Sequence, residues 1–312
     1  MRVLFLGGTS LTGPYAVRRL HALGHDVCVF HRGAHEADLP DGVGHLHGTL
    51  EQPPRELVEF APDVVVHMWA MTEADARIFL DRFRGVAGRA VVISSGDVYR
   101  AYGRLQRQET GPPDPAPLAE SAPLRESRYP YREKAPDADH WMARYDKILV
   151  EQAVLDQTDL PAAILRFPAV LGGGEYRRFQ RWLQPMLRGA SELRIQADWA
   201  EWRWTHGSAE DVAEAVVLAV TNPAASGRIY NVGEAETPTM RHRLTEFARA
   251  ANWTGRILPV PADQLPESER MAHDFAHHLA YDTRRIRAEL GYRELAPRNQ
   301  SLQKMLAIER AG

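Results

Sequence analysis

Short apolar runs rich in valine recur along the chain at residues 3–6, 27–30, 64–68, 90–93 and 163–167. Runs of that length suit strands buried on both faces, and most of the intervals can hold crossover helices. The alternation predicts an α/β fold, a doubly wound parallel sheet covered on both sides. The first helix should open near Thr12-Gly13. Ala16, Val17 and Leu20 lie along one side of it, and Gly24 offers a C-terminal stop.

Residues 111–139 break this pattern, being rich in proline and charge with no sustained period. A connection that long in a compact domain is expected to be a functional lid or a disordered segment. A helix is predicted to resume near His140 and to run through Lys147 to Glu151. Beyond Gly172 strands and helices mix less regularly. Ser208-Ala209-Glu210-Asp211 has the form of a capped helix start, followed by the apolar stripe Val212, Ala215, Val216, Ala219 and Val220. Residues 228–232 read as another short strand. Neither an internal repeat nor a domain linker stands out. The expected division is therefore 1–171 and 172–312, with the second part mainly a smaller lobe that returns some segments to the core of the first.

Composition narrows the class without naming it. A chain of 312 residues can bury a substantial core, and its net charge of −3 gives no field to attract nucleic acid or an anionic membrane. The single cysteine, Cys28, sits in the apolar stretch Val27-Cys28-Val29-Phe30 and reads as a small core residue. No apolar run approaches the ~18 residues of a membrane span. Met1-Arg2 leads straight into a strand pattern with no signal peptide, so a cytoplasmic protein is expected.

Candidate chemistry begins at Gly7-Gly8-Thr9-Ser10-Leu11-Thr12-Gly13, directly after the first strand and opening the first helix. Glycines there permit a tight turn and close approach of backbone to a pyrophosphate, whose charge rests on the helix N-terminus. Gly7, Gly8, Thr9, Ser10, Leu11 and Gly13 are thus candidate dinucleotide-binding residues; an ordinary strand-to-helix turn is the plain alternative. The second strand ends in His31-Arg32-Gly33, where an NAD site usually carries a carboxylate for the ribose 2′-hydroxyl. A cationic Arg32 suits a 2′-phosphate instead. NADP is therefore the expected cofactor, with NAD as the alternative and a solvated turn arginine as the bland reading.

Further segments follow in order: Ser94-Ser95-Gly96-Asp97-Val98-Tyr99 ending strand five, Lys147 with Glu151, Leu165-Arg166-Phe167-Pro168-Ala169-Val170-Leu171-Gly172, Arg203-Trp204-Thr205, Tyr230-Asn231-Val232-Gly233, and Glu289-Leu290-Gly291-Tyr292. As an ordered set they resemble the extended short-chain dehydrogenases, the NAD-dependent epimerase/dehydratase family, over nearly the whole chain. The resemblance implies a Rossmann-type domain with a C-terminal substrate lobe. It implies cofactor contacts that include Trp69, Ala70, Lys147 and Pro168, and a small-molecule substrate with a nucleotide sugar among the candidates. It also implies a homodimer through the helix bearing Lys147 and the helix before strand five, using apolar residues of 148–154 that the core leaves free.

In that family a hydroxyl residue, a tyrosine and a lysine four residues after the tyrosine do the chemistry, with tyrosinate as base. Ser95 and Lys147 match. The tyrosine does not: Ala143 holds that position, and Tyr145 stands only two residues before Lys147. On a regular helix two residues turn ~200°, which points Tyr145 away from the lysine face. The expectation is a packed Tyr145 and a missing base, unless the helix starts late or bulges, or Tyr99, Tyr129 or Tyr131 reaches in. Two readings stay open: an NAD(P)-dependent epimerase, dehydratase or reductase acting on a hydroxyl or carbonyl of a sugar-like or other small polar substrate, and a catalytically degenerate nucleotide sensor or scaffold. Ala169 and Leu171 stand where sugar-nucleotide members often carry asparagine and tyrosine, which counts against such a substrate, while Arg203 remains a possible phosphate partner. His273 and His277 share helical spacing but lack an evident third ligand, so no metal is expected.

Overall fold

A computed structural model describes residues 1–172 and 178–311. The first half runs β1 (Arg2–Leu6), α1 (Gly13–Ala22), β2 (Asp26–His31), β3 (Gly44–His47), α2 (Arg55–Glu59), β4 (Val64–His67), α3 (Glu73–Phe83), β5 (Arg89–Ser95), α4 (Arg100–Leu105), α5 (Trp141–Arg144), α6 (Lys147–Leu155), β6 (Ala162–Phe167) and β7 (Ala169–Leu171). The second adds α7 (Gln180–Leu187), β8 (Glu192–Gln196), α8 (Ala197–Glu201), β9 (His206–Ser208), α9 (Ala209–Thr221), β10 (Ile229–Asn231), α10 (Met240–Ala250), β11 (Arg256–Val260), α11 (Arg284–Leu290) and α12 (Arg298–Ala311).

Seven strands form one parallel sheet in the order β10-β6-β5-β4-β1-β2-β3. Side chains alternate along each strand, so an apolar run feeds two cores at once. Val3, Phe5, Val27 and Val29 pack with Ala16, Leu20 and Val216 on one face. Leu4, Leu6, Cys28 and Val65 pack with Phe79, Leu80 and Val154 on the other. Chain order reverses between β1 and β4, and the crevice beyond their C-terminal ends is where open α/β sheets take ligands.

β3 is an addition to the sequence reading. Its residues Gly44-His45-Leu46-His47 hold one apolar side chain, enough for an edge strand paired only with β2. The second half returns α9 against α1, β10 to the sheet and α11 against β10 and α9, and builds most of the rest into a lobe around Trp182, Leu183, Trp199 and Phe247. Val98, Tyr99, Leu105 and Leu118 from the first half share that lobe's core.

The segment 111–139 is a packed strap rather than a disordered lid. Leu118 and Asp282 hydrogen-bond through their backbones, and Glu120 accepts from the Asn231 amide at 3.0 Å. Arg125, fully buried, donates to Asp146 at 3.3 Å and to the carbonyl of Asp97. A second buried pair ties β5, β6 and α6 together: Glu151 accepts from Arg166 at 2.9 and 2.7 Å and from Ser94 at 2.5 Å. Removing one partner of such a pair costs about 3–5 kcal/mol. Glu151 therefore has a scaffolding role beside Ser95.

Within 148–154, Ile148, Val150 and Val154 are buried in the protomer's own cores, so Leu149 and Ala153 are the half-exposed apolar side chains of the expected dimer face. Among the described residues no helix is long and apolar enough to cross a membrane.

Candidate active site

A groove of about 950 Å³ crosses the C-terminal ends of β1, β2, β4 and β5. Gly7, Gly8, Thr9, Ser10, Leu11, Arg32, Trp69, Lys147 and Pro168 line it. Gly7 and Gly8 take φ of +81° and +101°, which makes the tight turn after β1. Gly13 acts from behind the turn. A Cβ there would lie 2.2 Å from the Gly8 carbonyl oxygen, so only glycine lets α1 close against the loop. Ala70 also sits behind the wall, its carbonyl accepting from Lys147 Nζ at 2.6 Å. The open helix terminus and glycine turn fit a dinucleotide pyrophosphate.

At the far end of the groove His31 is buried and Arg32 is exposed. The His31 ring meets His47 edge-on at 4.6 Å, and a Glu36 carboxylate oxygen lies 2.8 Å from His47 Nε2. Among the described residues only His31, Glu36 and His45 bring three metal-competent atoms together. The Gly33 amide, however, donates to His31 Nδ1 at 3.2 Å. That leaves the proton of a neutral ring on Nε2, which lies 3.7 Å from the Glu36 carboxylate and makes no hydrogen bond among the described residues. His277 Nε2 lies 3.7 Å from the Asp274 carboxylate.

The reacting end depends on a break in the helix. α5 ends at Arg144, Tyr145 is extended (φ −61°, ψ 123°), and α6 restarts at Lys147. Asp146 causes the restart. Its carboxylate caps α6 by accepting from the Ile148 amide at 3.0 Å and also takes the Tyr129 amide at 2.8 Å. The extended stretch pairs with Thr72, and the Asp146 amide donates to the Met71 carbonyl. Tyr145 thereby turns inward. Its ring centroid lies 5.9 Å from Lys147 Nζ, and its hydroxyl donates to Asp97 Oδ2 at 2.7 Å.

Asp97 is the residue that sequence reasoning passes over. It follows Ser95 by two positions, is buried, and accepts from Tyr131 (3.0 Å) as well as from Tyr145. Its Oδ1 is buried with no hydrogen-bond partner among the described residues. Burial pushes its carboxyl above the ordinary range, against the pull of Arg125, Tyr145 and Tyr131. Burial, then the neighbouring Asp97 carboxylate, raise the Tyr145 phenol well above its usual value, while a hydrogen bond with Ser95 acts the other way. Lys147 donates to the carbonyls of Ala70 and Ile93, and burial draws its pKa down to about 8. The other tyrosines separate cleanly: Tyr131 reaches in, Tyr99 is bound to Asn231 and Arg166, and Tyr129 lies under Arg132 outside the groove.

The family model for the NAD dependent epimerase/dehydratase family matches residues 3–233. The chain belongs to that family. Membership makes it an enzyme of the epimerase/dehydratase type, with a nicotinamide dinucleotide as its class of cofactor. Among solved structures it is similar to an epimerase of Methanothermobacter thermautotrophicus (16% identity, 99% of this chain and 92% of that one, TM-score 0.72). It is also similar to the UDP-glucose 4-epimerase of Thermus thermophilus in complex with NAD (23%, all of both chains, 0.69). A third is the UDP-glucose 4-epimerase of Thermotoga maritima with UDP-glucose (17%, 100% and 99%, 0.68). At these identities the likeness is one of fold. No curated protein matches the chain.

This epimerase/dehydratase-family chain brings Ser95, Tyr145 and Lys147 into one site despite the altered spacing. The expectation of an outward Tyr145 assumed one continuous helix and fails for that reason. A second cavity of about 450 Å³ opens beyond Ser95 and Asp97, walled by Phe179, Trp182, Trp199, Trp202, Trp204 and Phe275 of the lobe. Arg203 is exposed and lies outside that lining.

Proposed function

We propose that the protein is an NADP-dependent oxidoreductase of this family that interconverts a carbon-bound hydroxyl and the matching carbonyl of a small molecule. The carrying observation is the Tyr145 hydroxyl, delivered to Asp97 and Ser95 above Lys147 by the break before α6. Held in the groove, a nicotinamide would supply the hydride chemistry at the carbon bearing the oxygen. Ser95 orients that oxygen. Tyr145 takes its proton while passing its own phenolic proton to Asp97 Oδ2, so that Asp97 is the final proton store. The reverse transfer serves reduction. Lys147 contributes positive charge that steadies the tyrosine oxygen as it exchanges protons. Ala143, the feature that favoured a degenerate sensor, loses its weight because Tyr145 supplies the phenol from a different spacing.

The relay sets a pH dependence. Oxidation needs ionised Asp97, so its rate should rise with pH through the elevated Asp97 pKa. It should fall as Lys147 loses its proton near about 8. Asp97→Asn should cut oxidation sharply, and the residual rate should lack the acid limb while keeping the alkaline one. An unchanged acid limb in that variant would refute the relay. Rates are read from nicotinamide absorbance across a pH series.

Arg32 at the rim of the groove supports the choice of NADP. Calorimetry should show NADPH bound more tightly than NADH, and Arg32→Ala should narrow the gap by about tenfold, as expected for one charge-assisted pair. Equal affinities in the wild type would contradict the choice.

A further inference from the structure

We propose that the 450 Å³ cavity holds a flat, uncharged aromatic body, so that the substrate is an aryl or polycyclic compound carrying the reacting hydroxyl or carbonyl. This rests on the oxidoreductase reading above and departs from a nucleoside diphosphate sugar. The walls are the first observation. Trp182 and Trp199 lie nearly parallel, 4.3 Å apart with 13° between their planes, while Trp202 and Trp204 meet at 5.2 Å on another side. Packed interiors leave few voids, and an apolar space of this size matches a ligand pocket rather than a packing defect. Aromatic walls favour planar rings through stacking and edge contacts.

Position is the second observation. Ser95, Asp97 and Tyr131 line the inner end of the same cavity. A ring seated among the tryptophans therefore presents its substituent to the Tyr145–Asp97 relay. Charge is the third. Among the described residues, Arg178 is the one arginine or lysine in the lining, and its guanidinium lies over the Trp204 ring at 5.0 Å. Burial holds His273 toward its neutral form, with Lys134 and Arg107 acting in the same direction. Asp97 adds a buried carboxylate to the inner wall. Among the described residues, a diphosphate desolvated here would meet that carboxylate with Arg178 alone as an arginine or lysine in the lining, whereas a neutral ring system would bury its surface without that penalty.

Calorimetry on the full-length protein, with and without saturating NADP⁺ (the oxidised form, which cannot reduce the probe), tests this with 2-acetonaphthone and UDP-glucose. The ketone should bind saturably and about tenfold or more tighter than UDP-glucose. Met271→Trp, which fills the cavity from its lining, should weaken the ketone about tenfold while NADPH affinity and melting temperature hold. Trp204→Ala, at a half-buried wall position, should weaken it as well and guards against misfolding of the first variant. Tighter binding of UDP-glucose, or ketone binding that neither variant changes, overturns the proposal. Failure of NADP⁺ to bind the wild type would count instead against the cofactor reading, because the ketone titration is also run without it.

Discussion

Replacing Tyr145 with phenylalanine should lower turnover by roughly 10²–10⁴-fold, the usual worth of a positioned acid–base group, while leaving NADPH affinity within about twofold. The reason is local. Tyr145 is the side chain whose hydroxyl touches Asp97 on one side and reaches Ser95 on the other, and its ring packs near Lys147. Phenylalanine keeps the ring and removes only the proton carrier. Tyr131 shares Asp97 Oδ2 at 3.0 Å, but its hydroxyl also accepts from Tyr102 at 2.9 Å. It is therefore held in a different chain and should not replace the lost group. Tyr131→Phe should cost far less than Tyr145→Phe. Equal losses in both variants would show that the relay is wrongly drawn. The comparison needs steady-state rates on one carbinol or ketone substrate and NADPH binding by calorimetry for each variant.

Gly13→Val should abolish measurable dinucleotide binding in a protein that still unfolds cooperatively. The first added carbon alone would lie 2.2 Å from the Gly8 carbonyl oxygen and 2.4 Å from its Cα, neither of which can yield as a side chain would. Relief requires the 7–13 turn to open, and that removes the backbone amides from the pyrophosphate. The rest of α1 is anchored independently by Ala16, Val17 and Leu20 in the sheet core, so the strand and helix persist. Circular dichroism should show near-native secondary structure while calorimetry with NADPH shows no heat of binding. Normal affinity in this variant would mean that the phosphate site lies elsewhere.

The parts legible in the sequence are those where local pattern and tertiary packing agree. Valine-rich runs make buried parallel strands, Gly7 to Gly13 make a turn, and Ser208 caps α9 by accepting from the Asp211 amide at 3.1 Å. Polar β3 escapes the pattern because an edge strand needs only backbone pairing with β2. Tyr145 is misplaced for a different reason. Helical periodicity extended across Asp146 turns it outward, although aspartate before an apolar run is itself a signal for a helix start. Read as a cap, Asp146 frees Tyr145 from the 100° rule. Asp97 carries a weaker signal, an acidic residue within an otherwise uncharged segment after β5. Its coupling to two phenols depends on the strap bringing Tyr131 across from far along the chain, which no local pattern records. The aromatic cavity is of the same kind, since its walls come from several separate segments of the lobe.

The most direct test is a crystal structure of the complex with NADP⁺. The nicotinamide should lie at the Ser95 and Lys147 end of the groove, beside the Tyr145 hydroxyl, with the adenine and its 2′-phosphate toward His31 and Arg32. A nicotinamide at the opposite end, or a Tyr145 hydroxyl turned away from it into the protein, would contradict the proposed site.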